Sequence, residues 1–215
     1  MDITIIKLFL CFAIPLACML VLLKKEARIL MLFMIIGAFQ FLFSKAAAGV
    51  LLELFPSLGE EYIMTTYVPL LYEISKGLPL VYYILVSTDD RKPVLHAAAA
   101  AGTGFAVMES LNTVTYNLND DLFSTICLIM IYISSNVICS GLVGEGLRYI
   151  LRGVKYFIYG GPGLFTSVAF IHGMLIMFIE ADMILTGAII CVFMYLVIVL
   201  LFFRHDRNER IRLRL

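Results

Sequence analysis

The segment AAAAAGTGFAVMES, residues 97–110, decides how the chain folds. Its small residues recur four apart, as in Ala98 and Gly102, and this spacing lets a neighbouring helix approach closely within a membrane. The segment ends beside Glu109, an ionisable residue in an otherwise apolar stretch. A charged side chain at the bilayer centre costs at least about 2.5–3.5 kcal/mol, so such residues usually face a protein interior. The segment therefore predicts a buried helix that carries a carboxyl group.

The composition around this segment is that of an integral membrane protein. Hydrophobic residues make up 62% of the chain, well above the roughly 45–50% of a soluble domain. The formal net charge is zero, which gives no reason to expect a nucleic-acid partner. We expect a protein of the plasma (cell) membrane, in contact with the lipid bilayer. The five cysteines have no zinc or redox spacing and are interpreted as small membrane hydrophobes: Cys11, Cys18, Cys127, Cys139 and Cys191.

The apolar stretches are long enough to cross a membrane repeatedly. About 20 apolar residues span the hydrocarbon core as a helix, and seven such stretches follow one another without a soluble segment between them. They predict an all-α fold, a seven-helix bundle that forms a single transmembrane domain over residues 1–215. The stretches cover approximately 3–23, 29–52, 63–87, 93–116, 122–147, 161–180 and 183–203.

The basic residues predict the orientation of this bundle. Thirteen of the sixteen lysines and arginines lie after the first, third, fifth and seventh stretches. The alternate connections, PSLGEEY (56–62), NLNDD (117–121) and EAD (180–182), contain neither. Cytoplasmic loops carry the excess of lysine and arginine. The N-terminus is therefore predicted outside and the C-terminus inside the cell.

Several polar residues lie within the predicted spans at a similar depth. At about 1.5 Å per residue, Glu73 and Glu109 lie roughly 10–16 Å below the outer surface, and His172 lies at a similar level. Asn136 lies somewhat deeper on the fifth stretch. Glu73 is three residues from Lys76, a spacing at which the two can pair on a helix. These positions predict one polar layer near the middle of the bundle.

Helical periodicity places further polar residues on the same faces. On the fourth stretch, Glu109 is expected to share a face with Asn112, three residues later. On the fifth stretch, Asn136 is expected to share a face with Tyr132 and Ser140. Each face therefore combines a residue of the polar layer with a neighbour that can form hydrogen bonds.

Each of these residues also has a purely structural interpretation. Glu73 and Lys76 could form an internal ion pair that only fixes the register of their helix. Glu109 could only form a hydrogen bond across helices, and His172 could only pack against its neighbours. The shared depth favours an interior polar site over four separate structural roles.

Four sequence blocks resemble, in order, the signature of the PrsW-type intramembrane proteases. YEISKGLPL (72–80) is similar to the Glu-Glu-x-x-Lys block, and GTGFAVMESLNTV (102–114) to the Gly-x-Gly-Phe-Ala-x-x-Glu-Asn block. NVICSGLVGEGL (136–147) is similar to the next block, which begins with histidine in the family. FIHGML (170–175) resembles the last block, His-x-x-x-Asn. The same superfamily includes the CAAX-prenyl endopeptidases and the seven-helix scaffold subunit of gamma-secretase.

The resemblance implies hydrolysis of peptide bonds within or beside the membrane. This chemistry needs a base that takes a proton from water and an acid that protonates the leaving amine. The resemblance assigns these catalytic roles to Glu73, Glu109 and His172. The same three residues could instead hold a divalent metal such as zinc, whose bound water is acidified; the cofactor itself stays unknown. The supporting residues are Lys76, Asn136, Tyr72 and Asn112.

Three positions depart from the family pattern. Tyr72 replaces the first glutamate, Asn136 replaces the first histidine, and Ile176 replaces the final asparagine. The expected function is an intramembrane endopeptidase that cleaves membrane-embedded or membrane-proximal proteins or peptides. The alternative is a catalytically degenerate member that acts as a scaffold for a protein partner in the membrane. A small-solute transporter is a third class, which the hydropathy disfavours because it shows no inverted repeat.

Overall fold

The structure is a computed structural model that describes residues 3–22, 27–86, 94–116, 121–152, 168, 170–175, 177–179 and 181–212. Over these residues the regular elements are all helical and no strand occurs, which confirms the all-α prediction for this part of the chain. The helices are α1 (Ile3–Leu22), α2 (Ala27–Leu54), α3 (Val68–Val86), α4 (Val94–Tyr116), α5 (Leu122–Arg152), α6 (the described helical residues of Phe170–Ile179) and α7 (Ile184–Arg212).

Three helical segments among the described residues are long and apolar enough to cross a membrane. They are Arg28–Leu54, Val94–Tyr116 and Leu122–Leu147. The outward faces of the helices are also apolar: Phe39, Leu85 and Phe193 are 67%, 69% and 67% exposed. Soluble monomers rarely expose apolar surface on this scale. These features indicate membrane association. Shorter apolar helices are Ile3–Cys18, Phe170–Ile179 and Ile184–Val197.

Helix ends differ from the predicted stretches mainly on the C-terminal side. Helix α5 continues beyond 147 to Arg152, and α7 continues beyond 203 to Arg212. The predicted ends mark where charged residues begin, but neither extension contains the glycine or proline that would stop a helix. Of the predicted stretch 161–180, the segment 161–167 lies outside the described residues.

Helix α3 begins with a distorted turn. After the 3₁₀ turn Pro56–Leu58, the chain is helical over Glu60–Tyr62 and widens to a π-helical turn over Ile63–Tyr67. Pro69 lies two residues after this turn, and its missing N–H removes one regular hydrogen bond from this region. Wide turns of this kind occur frequently beside functional sites. The distortion lies immediately before the part of α3 that carries Glu73.

Helix α4 occupies the centre of the bundle. It packs most extensively against α5 and α2 and also contacts α1 and α3. Its alanines are almost completely buried, with Ala97 and Ala98 at 0% exposure. Small side chains allow these close contacts. A Cβ atom added at Gly102, for example, would lie 2.4 Å from the backbone oxygen of Asn136 on α5. The central helix therefore brings Glu109 directly against α5.

Candidate functional site

Helix α3 contributes an ion pair to the interior of the bundle. Glu73 and Lys76 are both fully buried, and the Lys76 ammonium donates to Glu73 Oε1 at 2.5 Å. Their three-residue separation places the two side chains on the same side of the helix. The Lys76 ammonium also lies 4.9 Å from the centre of the Phe105 ring on α4, within the range of a cation–π contact.

Asn136 on α5 connects this ion pair to the second carboxylate. Its Oδ1 accepts a hydrogen bond from Lys76 at 2.9 Å, and its Nδ2 donates to Glu109 Oε2 at 2.6 Å. The same Nδ2 also donates to the backbone oxygen of Tyr132 at 2.8 Å. Both ends of the amide are therefore used, and this fixes its orientation. One amide holds Glu109 and Lys76 in a common network.

His172 on α6 joins the network on the other side of Glu73. Its Nδ1 lies 2.8 Å from Glu73 Oε1, and the residue is only 2% exposed. Tyr72 packs edge-on against the imidazole, with 5.8 Å between the ring centres. The structure thus brings together residues from four helices in a chain of contacts. This chain, hereafter the polar network, consists of His172, Glu73, Lys76, Asn136 and Glu109.

The charges of the polar network do not cancel by themselves. Two carboxylates, Glu73 and Glu109, face one ammonium, that of Lys76. Burying an unbalanced charge is costly, so one further positive charge or one proton is needed for neutrality. A cation or a proton held within the polar network would meet this requirement.

A second buried cluster adjoins the network on the side of α2. Ser44 and Ser75 share a hydrogen bond of 2.6 Å between their hydroxyl groups, and Gln40 Nε2 donates to the backbone oxygen of Ser75. Ser75 lies between Glu73 and Lys76 in the sequence. These contacts anchor α3 to α2 at the level of the polar network, and hold the helix that carries the ion pair.

Cys139 belongs to the site, although the sequence interpretation placed it among small membrane hydrophobes. Ligand atoms of Glu73, Cys139 and His172 all lie within 4.8 Å of one another, and the three residues are buried. Cys139 lies three residues after Asn136, and therefore on the same face of α5. This spacing is the feature by which the sequence could have identified it.

The side chains of Glu73, Cys139 and His172 also fit a metal ion. Glu73 Oε2 is buried and has no hydrogen-bond partner among the described residues. Carboxylate, thiolate and imidazole are all common ligands of zinc. Glu109 lies further along the network and contacts Asn136. The earlier set of Glu73, Glu109 and His172 stays a prediction.

One sequence-predicted position lies apart from this site, and another is outside the described residues. Asn112 accepts a hydrogen bond from Lys45 of α2 rather than joining Glu109. Its side chain is therefore engaged by α2 and not by the polar network. Ile176, which replaces the final asparagine of the family pattern, lies outside the described residues.

No protein-family model, no curated protein and no solved structure matches the chain. The functional interpretation therefore depends on the polar network itself.

Proposed function

We propose that the protein is an intramembrane endopeptidase of the PrsW type that cleaves membrane-embedded or membrane-proximal proteins. The observation that supports this proposal is the contact between His172 and Glu73, at 2.8 Å in the bundle interior, within a network that also contains Glu109. Peptide hydrolysis requires a base and an acid at one site, each within reach of the proton that it transfers. The four resembling sequence blocks supply all five residues of the polar network.

The proposed fold is a bundle of seven spans in the plasma membrane, with the N-terminus outside and the C-terminus in the cytoplasm. The three long apolar helices and the alternation of basic loops support this arrangement. A reporter fused after Leu215 is expected in the cytoplasm, and one inserted at Gly59 is expected outside. Both reporters on the same side would contradict the topology.

In the proposed reaction the network divides the chemical work. One carboxylate, that of Glu73 or Glu109, takes a proton from the attacking water. His172, starting in its protonated form, then protonates the nitrogen of the leaving amine as the C–N bond breaks. The proton taken from water passes from the carboxylate to His172, which restores both groups. Lys76 and Asn136 position the two carboxylates through the hydrogen bonds described above. Tyr72 packs against His172 and restricts the rotation of the imidazole ring. We assign Tyr72 no role as a base, because an ordinary phenol has a pKa of about 10.

A divalent metal such as zinc would supply an acidified water as the nucleophile. Glu73 and His172 are the residues of the proposed catalytic set whose ligand atoms lie close enough together to hold it.

A scaffold function is the second candidate, and the ion pair favours it. Lys76 already neutralises Glu73 at 2.5 Å, as in a structural salt bridge. In this case the protein binds a membrane partner through the same interior and cleaves nothing. The partner would co-purify with the wild-type protein and would be lost when the network is altered.

Cleavage assays distinguish the two candidates. Purified protein in detergent is incubated with a library of single-span peptides, with and without added zinc. The peptidase proposal expects cleavage by the wild type and none by Glu73→Gln or Glu109→Gln, with folded protein still abundant. Glu53→Gln is the matched control, since Glu53 is an exposed residue of α2. Cleavage that survives both network substitutions would refute the assignment of the site.

A further inference from the structure

We propose that Glu73, Cys139 and His172 form a binding site for a divalent transition metal such as zinc, with Cys139 as a thiolate ligand. One ligand atom from each residue lies within 4.8 Å of the others. Glu73 and Cys139 are 0% exposed and His172 is 2% exposed. The three residues come from α3, α5 and α6, so the site depends on the assembled bundle.

The unpaired oxygen of Glu73 is an independent observation that points to a ligand. Lys76 and His172 both contact Oε1 of this carboxylate. Oε2 has no partner among the described residues, although it is buried. A buried polar atom without a hydrogen bond is unfavourable, because the loss of its contact with water is not compensated. A cation bound at Oε2 would remove this cost while Lys76 keeps its contact with Oε1.

The three donors favour zinc over magnesium or calcium. Thiolate and imidazole ligands select metals such as zinc, whereas magnesium and calcium prefer oxygen. Tetrahedral zinc with bonds of about 2.0–2.3 Å holds its ligand atoms about 3.3–3.8 Å apart. Small side-chain rotations would close the present cluster to this spacing.

Binding would also release a proton from the cysteine. The Cys139 thiol now faces the backbone oxygen of Val168 at 3.8 Å, as a weak hydrogen-bond donor. Zinc binds the thiolate, so the S–H bond breaks, an S–metal bond forms, and the proton passes to solvent. The thiolate and the two carboxylates of the polar network then balance the charges of the ion and of the Lys76 ammonium, while His172 binds as a neutral ligand.

The inference builds on the proposed peptidase site, but the two proposals fail separately. Metal bound through Cys139 without any cleavage would support the metal site and refute the peptidase. Cleavage that is unaffected by chelators and by loss of Cys139 would support the peptidase and count against the metal site. The test therefore measures the metal–sulfur bond itself and not the reaction.

Cobalt provides this measurement, because a thiolate bound to Co²⁺ gives an intense near-ultraviolet charge-transfer absorption. The full-length protein, purified in detergent and stripped with a chelator, is titrated with Co²⁺ and then with Zn²⁺. We expect one Co²⁺ per chain with this absorption, and its loss as Zn²⁺ replaces Co²⁺. Cys139→Ser should abolish the absorption and weaken zinc binding at least tenfold. The control Cys11→Ser, at an equally buried cysteine of α1, should retain both.

Several outcomes would overturn the proposal. The wild type could bind no Co²⁺, bind it without the thiolate absorption, or keep the absorption in Cys139→Ser. Circular dichroism and the elution profile of each variant establish whether it is folded. If Cys139→Ser does not fold, Cys139→Ala serves as a second variant, and retention of the absorption by a folded Cys139→Ala protein would overturn the proposal.

Discussion

The two sides of α4 use the same kind of residue for different purposes. On the side of α2, a Cβ added at Gly104 would lie 1.8 Å from the backbone oxygen of Met34, and one added at Gly37 would lie 1.9 Å from that of Ala101. On the side of α5, Gly102 meets Asn136 almost as closely. The α2 side contains an adjoining cavity of about 280 Å³ lined entirely by apolar residues. The α5 side contains the hydrogen bond from Asn136 to Glu109.

Small residues therefore determine how close two helices come, and the polar residue beside them determines what the contact does. Against α2 the close approach gives van der Waals packing, which drives helix association in membranes. Against α5 it shortens the distance between Glu109 and Asn136 to a strong hydrogen bond. The comparison predicts that substitutions on the two sides will change stability for different physical reasons and by different amounts.

The largest effect is expected on the polar side, at Lys76. Replacing Lys76 by methionine removes the ammonium and leaves the Glu73 carboxylate buried with an unbalanced charge. Breaking a buried pair by removing one partner typically costs about 3–5 kcal/mol. We expect Lys76→Met to lower the free energy of unfolding by this amount, measured by denaturant titration in mixed micelles.

The double variant Glu73→Gln/Lys76→Met is the control for this prediction. Because it removes both charges, it should be more stable than Lys76→Met alone. A Lys76→Met variant as stable as the wild type would show that the ion pair does not hold the polar side together.

A smaller effect is expected on the apolar side, at Gly37. An added methyl group would meet the Ala101 backbone, which cannot rotate away, so α2 and α4 must separate. Overpacking of this kind costs about 1–3 kcal/mol, and we expect Gly37→Ala to lower the unfolding free energy by that amount. Cleavage or metal binding should change less than it does in the polar variants.

Gly49→Ala on the same helix is the matched control. Nothing lies within 4 Å of a Cβ at this position, and alanine is the better helix former by about 0.5–1 kcal/mol. The variant should be as stable as the wild type or slightly more stable. Equal losses at both glycines would mean that close packing is not the cause.

The sequence predicted the polar side better than it predicted the details of the site. Glu73, Glu109 and His172 could be singled out because ionisable residues are costly in hydrocarbon, and a cost of this kind is visible in a single sequence. The contact of Asn136 with Glu109 and Lys76 needs the relative rotation of three helices. Hydropathy carries no information on that rotation, and only the structure supplies it.

Cys139 and Asn112 also show that the sequence does not specify contacts between helices. The sequence leaves Cys139 out of the predicted site and includes Asn112 in it. Cys139 was overlooked because a lone cysteine in an apolar run is ordinarily a small hydrophobe, and its proximity to Glu73 comes from tertiary packing. Asn112 was placed beside Glu109 by helical spacing alone. Its hydrogen bond with Lys45 instead engages it with α2, and helical spacing alone does not specify which neighbouring helix a side chain meets.

The smallest effect is expected at Asp121, which lies at the start of α5 but outside both sides of α4. Its carboxylate accepts hydrogen bonds of 2.8 Å from the backbone N–H and from the hydroxyl group of Ser124, and so caps the helix. These hydrogen bonds, that from the backbone first, lower the pKa of Asp121 below its ordinary value. A carboxyl group with a lowered pKa in the folded state stabilises the fold above its unfolded pKa of about 3.9, and the contribution is lost as the pH falls through the folded value. We expect Asp121→Ala to lower the Tm at pH 7 by less than either interior variant, and the difference from wild type to shrink below about pH 4. A difference that grows on acidification would mean that Asp121 acts through something other than its charged cap. The effect of Asp121 could then no longer be treated as independent of the buried polar side of α5.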